Sequence, residues 1–167
     1  GRDMRSFVLA VLAEKKPTVL DADALISFEG QRDELFKALH SQCVLTPHEG
    51  EFARLFPDLL SGPKTVRAEK ASALCGCTVL IKGPDSAIAA PDRETVMQNE
   101  TAPDLATAGS GDVLAGMIAG LLAQGMTPFE ATCAAVYIHT KAGQAFGRGL
   151  VASDLPALIP VILKTLV

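Results

Sequence analysis

A chain of 167 residues that is 49% hydrophobic and 20% charged has the material for one large apolar core, in a single domain over residues 1–167. Its net charge of −4 excludes the broad basic face that nucleic acid or an anionic membrane requires. No apolar run reaches the roughly 20 residues of a bilayer span, and the longest, Val113 to Ala123, is broken by Gly116 and Gly120.

The N-terminal stretch GRDMRSFVLAVLAEKK has a basic start, but Asp3 and the lack of a cleavage-like site argue against a signal peptide. It reads as an amphipathic helix from Asp3 to Glu14, stopped by Lys15-Lys16-Pro17. Thr18 to Asp21 reads as a strand, Gln31 to His40 as a helix, and Cys43 to Thr46 as a second strand. Thr46-Pro47-His48-Glu49 has the form of a capping box, with Thr46 as N-cap and Pro47 at the first helical position; Pro57 ends that helix. Lys64 to Leu74 is a further helix. Thr78 to Lys82 is a strand with the near-continuous apolar run of a sheet covered on both faces. Ser86 to Ala90 and Thr95 to Gln98 flank Pro91-Asp92-Arg93-Glu94 as a hairpin. Three helices close the chain: Asp112 to Ala123, Thr127 (in a second capping box with Glu130) to about Phe146, and one capped by Ser153-Asp154 running toward Leu166.

Strand and helix alternate early and helices dominate late, which predicts a layered α/β fold with a mainly parallel sheet and an antiparallel hairpin at one side. Three parallel strands and a hairpin are few for so many helices, so the expectation is the C-terminal part of a larger domain. The cysteines Cys43, Cys75, Cys77 and Cys133 lack any framework or CxxC spacing and are expected to be buried thiols in a reducing cytoplasm.

In open parallel sheets ligands bind at the carboxyl ends of the strands. Three strands end there in polar signatures: Asp21-Ala22-Asp23, Thr46-Pro47-His48, and Lys82-Gly83-Pro84-Asp85-Ser86. The turn Gly109-Ser110-Gly111-Asp112 opens a helix whose free amides and dipole make an anion site. Asp112 there is either a base for phosphoryl transfer or simply a helix cap. His48 falls in the first turn of a helix, where the dipole disfavours a charged imidazolium, and reads as a neutral or surface histidine. Lys82 either meets an anion or snorkels to solvent. Asp21 and Asp23, two apart, make no obvious dyad; one of them helps hold Mg²⁺ or shapes the site, or Asp23 serves a turn. His139 reads as a core or interface histidine, and the small residues Ala115, Gly116, Ala119 and Gly120 as a close-packing helix face.

Four segments together resemble one family. Asn99-Glu100-Thr101 with Leu105-Ala106-Thr107-Ala108-Gly109-Ser110-Gly111-Asp112-Val113-Leu114-Ala115-Gly116 is similar to the signature of the ADP- or ATP-dependent NAD(P)H-hydrate dehydratases, of the ribokinase-like superfamily. Leu45-Thr46-Pro47-His48-Glu49-Gly50-Glu51-Phe52 resembles their TPHxGE segment. Val19 to Leu25 and Leu80 to Ser86 resemble two more, in the family's order along nearly the whole chain. Thr101-Ala102-Pro103-Asp104 departs from it where many members carry extra glycines.

The resemblance implies a ribokinase-like α/β/α fold and a repair reaction. The hydroxyl added to the ring of hydrated NADH or NADPH is phosphorylated from a nucleotide, and loss of phosphate restores the reduced dinucleotide. It implies Asp112 as the base beside the substrate, and Gly109, Ser110 and Gly111 as the anion hole. It further implies Lys82, Gly83, Pro84, Asp85 and Ser86 as the nucleotide lining, and His48 as a substrate contact. Gly1-Arg2-Asp3 is similar to the tail of the family's GPGLG loop, which makes Gly1 a substrate contact, and the family's preceding half is expected for activity. ADP or ATP with Mg²⁺, a homo-oligomer and a cytoplasmic setting follow from the same resemblance. A ribokinase-like kinase for a sugar or vitamin precursor, and a nucleotide-binding module without catalysis, are the competing readings.

Overall fold

The structure is a computed structural model and describes residues 2–166; the expected contact Gly1 lies outside them. Five strands, β1 (Thr18–Leu20), β2 (Cys43–Leu45), β3 (Thr78–Ile81), β4 (Ser86–Ala89) and β5 (Val96–Gln98), form one sheet in sequence order. β1, β2 and β3 run parallel, with Thr18 opposite Cys43 and Leu45 opposite Val79. β4 and β5 are antiparallel additions, with Ile81 opposite Ala87 and Ser86 opposite Gln98. The hairpin lies where Pro91–Glu94 predicted it, and Asp92 takes the left-handed conformation (φ 60°) that its short polar side chain tolerates.

Alternation along each strand sorts the core into two layers. Leu20, Leu45, Val79, Ile81, Ala87 and Ala89 face a cluster built with α1 (Arg2–Ala13), α2 (Asp23–Ile26), α3 (Arg32–Ala38), α4 (Glu49–Leu55) and α5 (Lys64–Cys75). Val44, Leu80 and Ile88 face α6 (Ser110–Ala123) and α7 (Pro128–Phe146) on the other side. All four residues of β3 are buried, as its continuous apolar run predicted. Phe28, Phe52 and Phe56 are fully buried in the first layer, and the Phe52 and Phe56 rings stack at 4.9 Å. The last helix, α8 (Leu155–Leu163), packs Leu155 and Ile162 against Ile138 and Ala142 of α7, beyond the sheet. Cys43, Cys75 and Cys77 are buried and Cys133 partly so, with the sulfurs of Cys75 and Cys77 3.4 Å apart. Among the described residues no helix is long and apolar enough to cross a membrane.

Local departures have physical causes. Thr46 is not the cap of α4. Its amide and hydroxyl both donate to the Leu20 carbonyl (3.1 and 3.3 Å), which keeps the chain extended for two more residues. Asp154 does not cap α8 with its side chain. It accepts from the Val151 amide at 3.0 Å, closing a 3₁₀ turn over Ala152–Asp154. The Glu130 amide donates to Thr127 Oγ1 (3.4 Å) as predicted, but the Glu130 carboxylate takes the threonine hydroxyl (2.7 Å) rather than the backbone. The expected close-packing role fails for Gly116, Ala119 and Gly120 of α6, which are exposed. The sheet-facing stripe is Leu114, Ile118 and Leu122, and a Cβ at Gly116 or Gly120 would meet nothing within 4 Å among the described residues.

Candidate active site

The carboxyl ends of the parallel strands are stitched to one another. The Lys82 amide donates to the Pro47 carbonyl at 2.9 Å, and His48 bridges Lys82 in parallel register. After β1 the chain turns sharply at Ala22, whose φ of 49° and ψ of −123° place a residue with a Cβ in a region normally left to glycine. That turn leaves Asp21 half-buried against Lys82, whose Nζ donates to Asp21 Oδ1 at 2.6 Å. Asp23 is exposed and opens α2, so only the first aspartate joins the site. The Lys82 ammonium lies close over the turn into α6. A Cβ on Gly111 would stand 3.4 Å from it and 3.8 Å from Asp21 Oδ2.

The turn itself is set by Gly109, the N-cap of α6 at φ 84°. Adding a Cβ there would violate the backbone preference and bring it within 3.2 Å of the Ala152 methyl. The Ser110 amide donates to the Thr107 carbonyl (3.2 Å), and the first full helical bond runs from the Val113 amide to Gly109 (3.1 Å). Among the described residues the Gly111 and Asp112 amides are thus the free first-turn donors, at the positive end of the helix dipole. Asp112 is the third helical residue, exposed, and is not the cap. Its carboxylate stays at the turn, with Oδ2 3.9 Å from where a Cβ on Gly109 would stand.

His139 of α7 supports this turn from beneath. It is 7% exposed, and its Nε2 lies 3.1 Å from both the hydroxyl and the carbonyl oxygen of Ser110. Burial pushes its pKa down to about 4, partly offset by the hydrogen bond to the Ser110 backbone. The side chain read as a core histidine is buried, yet it also faces the cavity.

His48 caps α4. Its Nδ1 accepts from the Gly50 and Glu51 amides (2.9 and 3.3 Å), while Glu51 Oε2 accepts from the His48 amide (2.8 Å). An accepting Nδ1 places the ring proton of the neutral imidazole on Nε2, 3.4 Å from Glu51 Oε1. The side chain is 58% exposed.

A cavity of about 790 Å³ joins these parts. Of the predicted site residues, His48, Lys82, Gly83, Pro84, Ser86, Ser110 and Gly111 line it; Gly109 and Asp112 lie at the same turn just beyond the lining. Asp85 does not line it, because its carboxylate is engaged by Lys64 at 2.7 Å. Sequence reasoning missed the wall formed by Gln98, by residues 100–103 and 105–107, and by Val136, His139 and Thr140 of α7. Leu105 is seated there against Gly143, where a Cβ would come within 2.6 Å of Leu105 Cγ. The signal available was the Asn99-Glu100-Thr101 segment. Glu100 accepts from Lys141 Nζ (2.5 Å), and the Thr101 carbonyl accepts from the Gln144 side-chain amide (3.1 Å), fastening the wall to α7.

Among the described residues no three His, Cys, Asp or Glu side chains gather into a metal cage. Asp21 and Asp112 both lie at the turn. One or two carboxylates completed by phosphate oxygens and water suit Mg²⁺, which rarely takes an all-protein cage.

A family model described as NAD(P)H-hydrate dehydratase matches residues 1–164. The chain is 37% identical over 168 residues to the ADP-dependent (S)-NAD(P)H-hydrate dehydratase of Neisseria meningitidis, covering 93% of this chain and 56% of that relative. It is 42% identical over 154 residues to the bifunctional NAD(P)H-hydrate repair enzyme Nnr of Salinibacter ruber, covering 86% of this chain and 28% of that protein. Among solved structures, the ADP/ATP-dependent NAD(P)H-hydrate dehydratase of Bacillus subtilis, co-crystallised with ATP and Mg²⁺, superposes with a TM-score of 0.68 at 30% identity. It covers 74% of this chain and 47% of that one. A ribokinase-like superfamily protein of Enterococcus faecalis superposes with a TM-score of 0.78 at 26% identity, over 96% and 58% of the two chains. The chain thus spans about half the length, or less, of the relatives it matches.

Proposed function

The chain belongs to the NAD(P)H-hydrate dehydratase family, and we propose that the protein carrying it dehydrates hydrated NADH or NADPH at the expense of ADP or ATP. The observation that supports this most directly is the glycine turn of α6. Its free Gly111 and Asp112 amides, the Lys82 ammonium beside it and the Asp112 carboxylate meet at the rim of one cavity.

The steps follow from that arrangement. His48 Nε2–H and the loop Gln98 to Thr107 hold the hydrated nicotinamide moiety, and Lys82, Gly83, Pro84 and Ser86 line the nucleotide. Asp112 takes the proton of the ring hydroxyl as its oxygen attacks the terminal phosphorus of the nucleotide and the bond to the leaving nucleotide oxygen breaks. The Gly111 and Asp112 amides with Lys82 stabilise the charge spread over the transferring phosphoryl oxygens. The ring carbon–oxygen bond of the new phosphate ester then breaks, inorganic phosphate leaves with the bonding pair, the adjacent ring carbon gives up a proton, and the double bond of the reduced dinucleotide is restored. Bound with the nucleotide, Mg²⁺ would neutralise phosphate charge, with Asp21 as its protein oxygen at the turn. Assembly into a homo-oligomer is carried over from the family and is checked by sedimentation.

The test is incubation with hydrated NADH plus ADP or ATP and Mg²⁺. Return of the reduced-nicotinamide absorbance with release of inorganic phosphate is the expected result. A stable phosphoester product would turn the reading to a kinase, and no nucleotide-dependent change would remove both.

A further inference from the structure

Lys64 and Arg67, at the start of α5, take no part in the chemistry above, yet they join its two ligand loops. The Lys64 side chain is only 9% exposed. Its Nζ donates to the Asp85 carbonyl (2.6 Å) and to Asp85 Oδ1 (2.7 Å), and lies 3.4 Å from Glu49 Oε1. Three acceptors thus surround an ammonium that has three protons and little access to water. Glu49 is gripped from its other side by the Arg67 fork, at 2.8 and 2.9 Å, and that guanidinium lies 5.5 Å above the Phe52 ring. The Arg67 hydrogen bond, with help from Lys64, holds the Glu49 carboxyl below its usual range; Lys64 does the same for Asp85.

Asp85 belongs to the Lys82–Ser86 loop, and Glu49 follows His48 directly. The network therefore ties the nucleotide loop to the substrate loop through a third element, α5. The carboxylates are 48% and 56% exposed, and ion pairs that open to solvent add little to global stability. What the network determines is loop geometry. Gly83 is the complementary feature: a Cβ there would stand 2.6 Å from Lys64 Nζ. The loop passes so close to the ammonium that a methyl group would push it off Asp85.

We propose that Lys64 is a positioning residue that, by bridging Asp85 and Glu49, holds the Lys82–Ser86 loop and the His48 turn in one frame and so presents nucleotide and dinucleotide to each other. This rests on the dehydratase reading of the cavity. Two consequences separate it from a merely structural role. Losing the bridge raises KM for the nucleotide more than it lowers kcat. Gly83→Ala also acts through the same contact and is not additive with loss of Lys64.

The experiment measures nucleotide KM, kcat and backbone hydrogen exchange over residues 47–50 and 83–86 in the protein carrying this chain. The variants are Lys64→Met, Lys64→Arg, Gly83→Ala and the Lys64→Met/Gly83→Ala double. Lys64→Met is expected to raise nucleotide KM about tenfold with faster exchange in both loops. Gly83→Ala should act in the same direction, the double variant should be no worse than Lys64→Met, and Lys64→Arg should restore part of the loss. Wild-type KM and exchange in Lys64→Met, or additive effects of the two changes, overturn the inference alone. A wild type that neither binds ADP or ATP nor turns over overturns the dehydratase reading and the inference with it. If Lys64→Met does not fold, Gly83→Ala carries the test, and unchanged KM and exchange in it are then the overturning result.

Discussion

His139 Nε2 lies 3.1 Å from both oxygens of Ser110, so a buried imidazole on α7 holds the turn that opens α6 from behind. In the proposed mechanism the amides of this turn point at an anion, and this contact fixes the turn's other face. Ser110 is itself 4% exposed, so the pair has little access to water beyond the cavity it faces.

That burial makes the turn sensitive to acid. The unfolded chain takes up a proton on this histidine near pH 6.5, whereas the folded one resists until about 4. The unfolded state therefore binds more protons between those values, and stability is full above about pH 6.5 and falls as the pH drops through the window. The whole effect is on the order of 3 kcal/mol. Chemical denaturation from pH 7 to pH 4 should show a slope that His139→Gln flattens; an identical slope in that variant would clear His139 of the effect.

Asp112→Asn preserves shape at the third position of α6 and removes the proposed base. Turnover is expected to fall by roughly 10²- to 10⁴-fold, with nucleotide affinity nearly unchanged because the Gly111 and Asp112 amides remain. Calorimetric titration with ADP beside the turnover assay measures both, and full turnover in Asp112→Asn excludes it as the base.

Gly109→Ala forces a Cβ residue into φ 84° and against Ala152 at 3.2 Å. The left-handed conformation alone costs about 1–2 kcal/mol. For a domain of this size that is roughly 2–8 °C in Tm. Turnover should fall further than the stability loss accounts for, since the free amides of the turn are re-aimed. Thermal melts and kinetics on the same preparation separate the two effects.

Gly143→Ala brings a methyl within 2.6–3.0 Å of three Leu105 side-chain carbons, inside a packed contact. Overpacking of this kind costs about 1–3 kcal/mol. The relief available is outward movement of the 101–107 wall, so the KM for hydrated dinucleotide should rise. A variant with wild-type Tm and KM would show that the wall yields without cost.

Much of the architecture was legible because it rests on local periodicity. The buried run Thr78–Ile81, the hairpin around Pro91–Glu94 and the Thr127 cap of α7 are short-range signals, and each lies where it was read. The α4 cap was misread because the Thr46-Pro47 string matches a local rule that a sheet contact overrides. Leu20 claims the Thr46 hydroxyl and amide, and His48 takes over as cap.

The sequence by itself determined the layered α/β class, the family and the turn Gly109–Asp112, because alternation, glycine placement and motif order are written along the chain. The tertiary structure alone decided which residues meet: Lys82 with Asp21, 61 positions apart; Ser110 with His139, 29 apart; and Lys64 with Asp85, 21 apart. It also decided that Asp85 serves Lys64 instead of lining the cavity, and that Gln98 with residues 100–103 and 105–107 form its missing wall. Such pairings depend on how the parallel strands register and where the crossing helices return. No local pattern in one dimension encodes a distance between segments that only packing brings together.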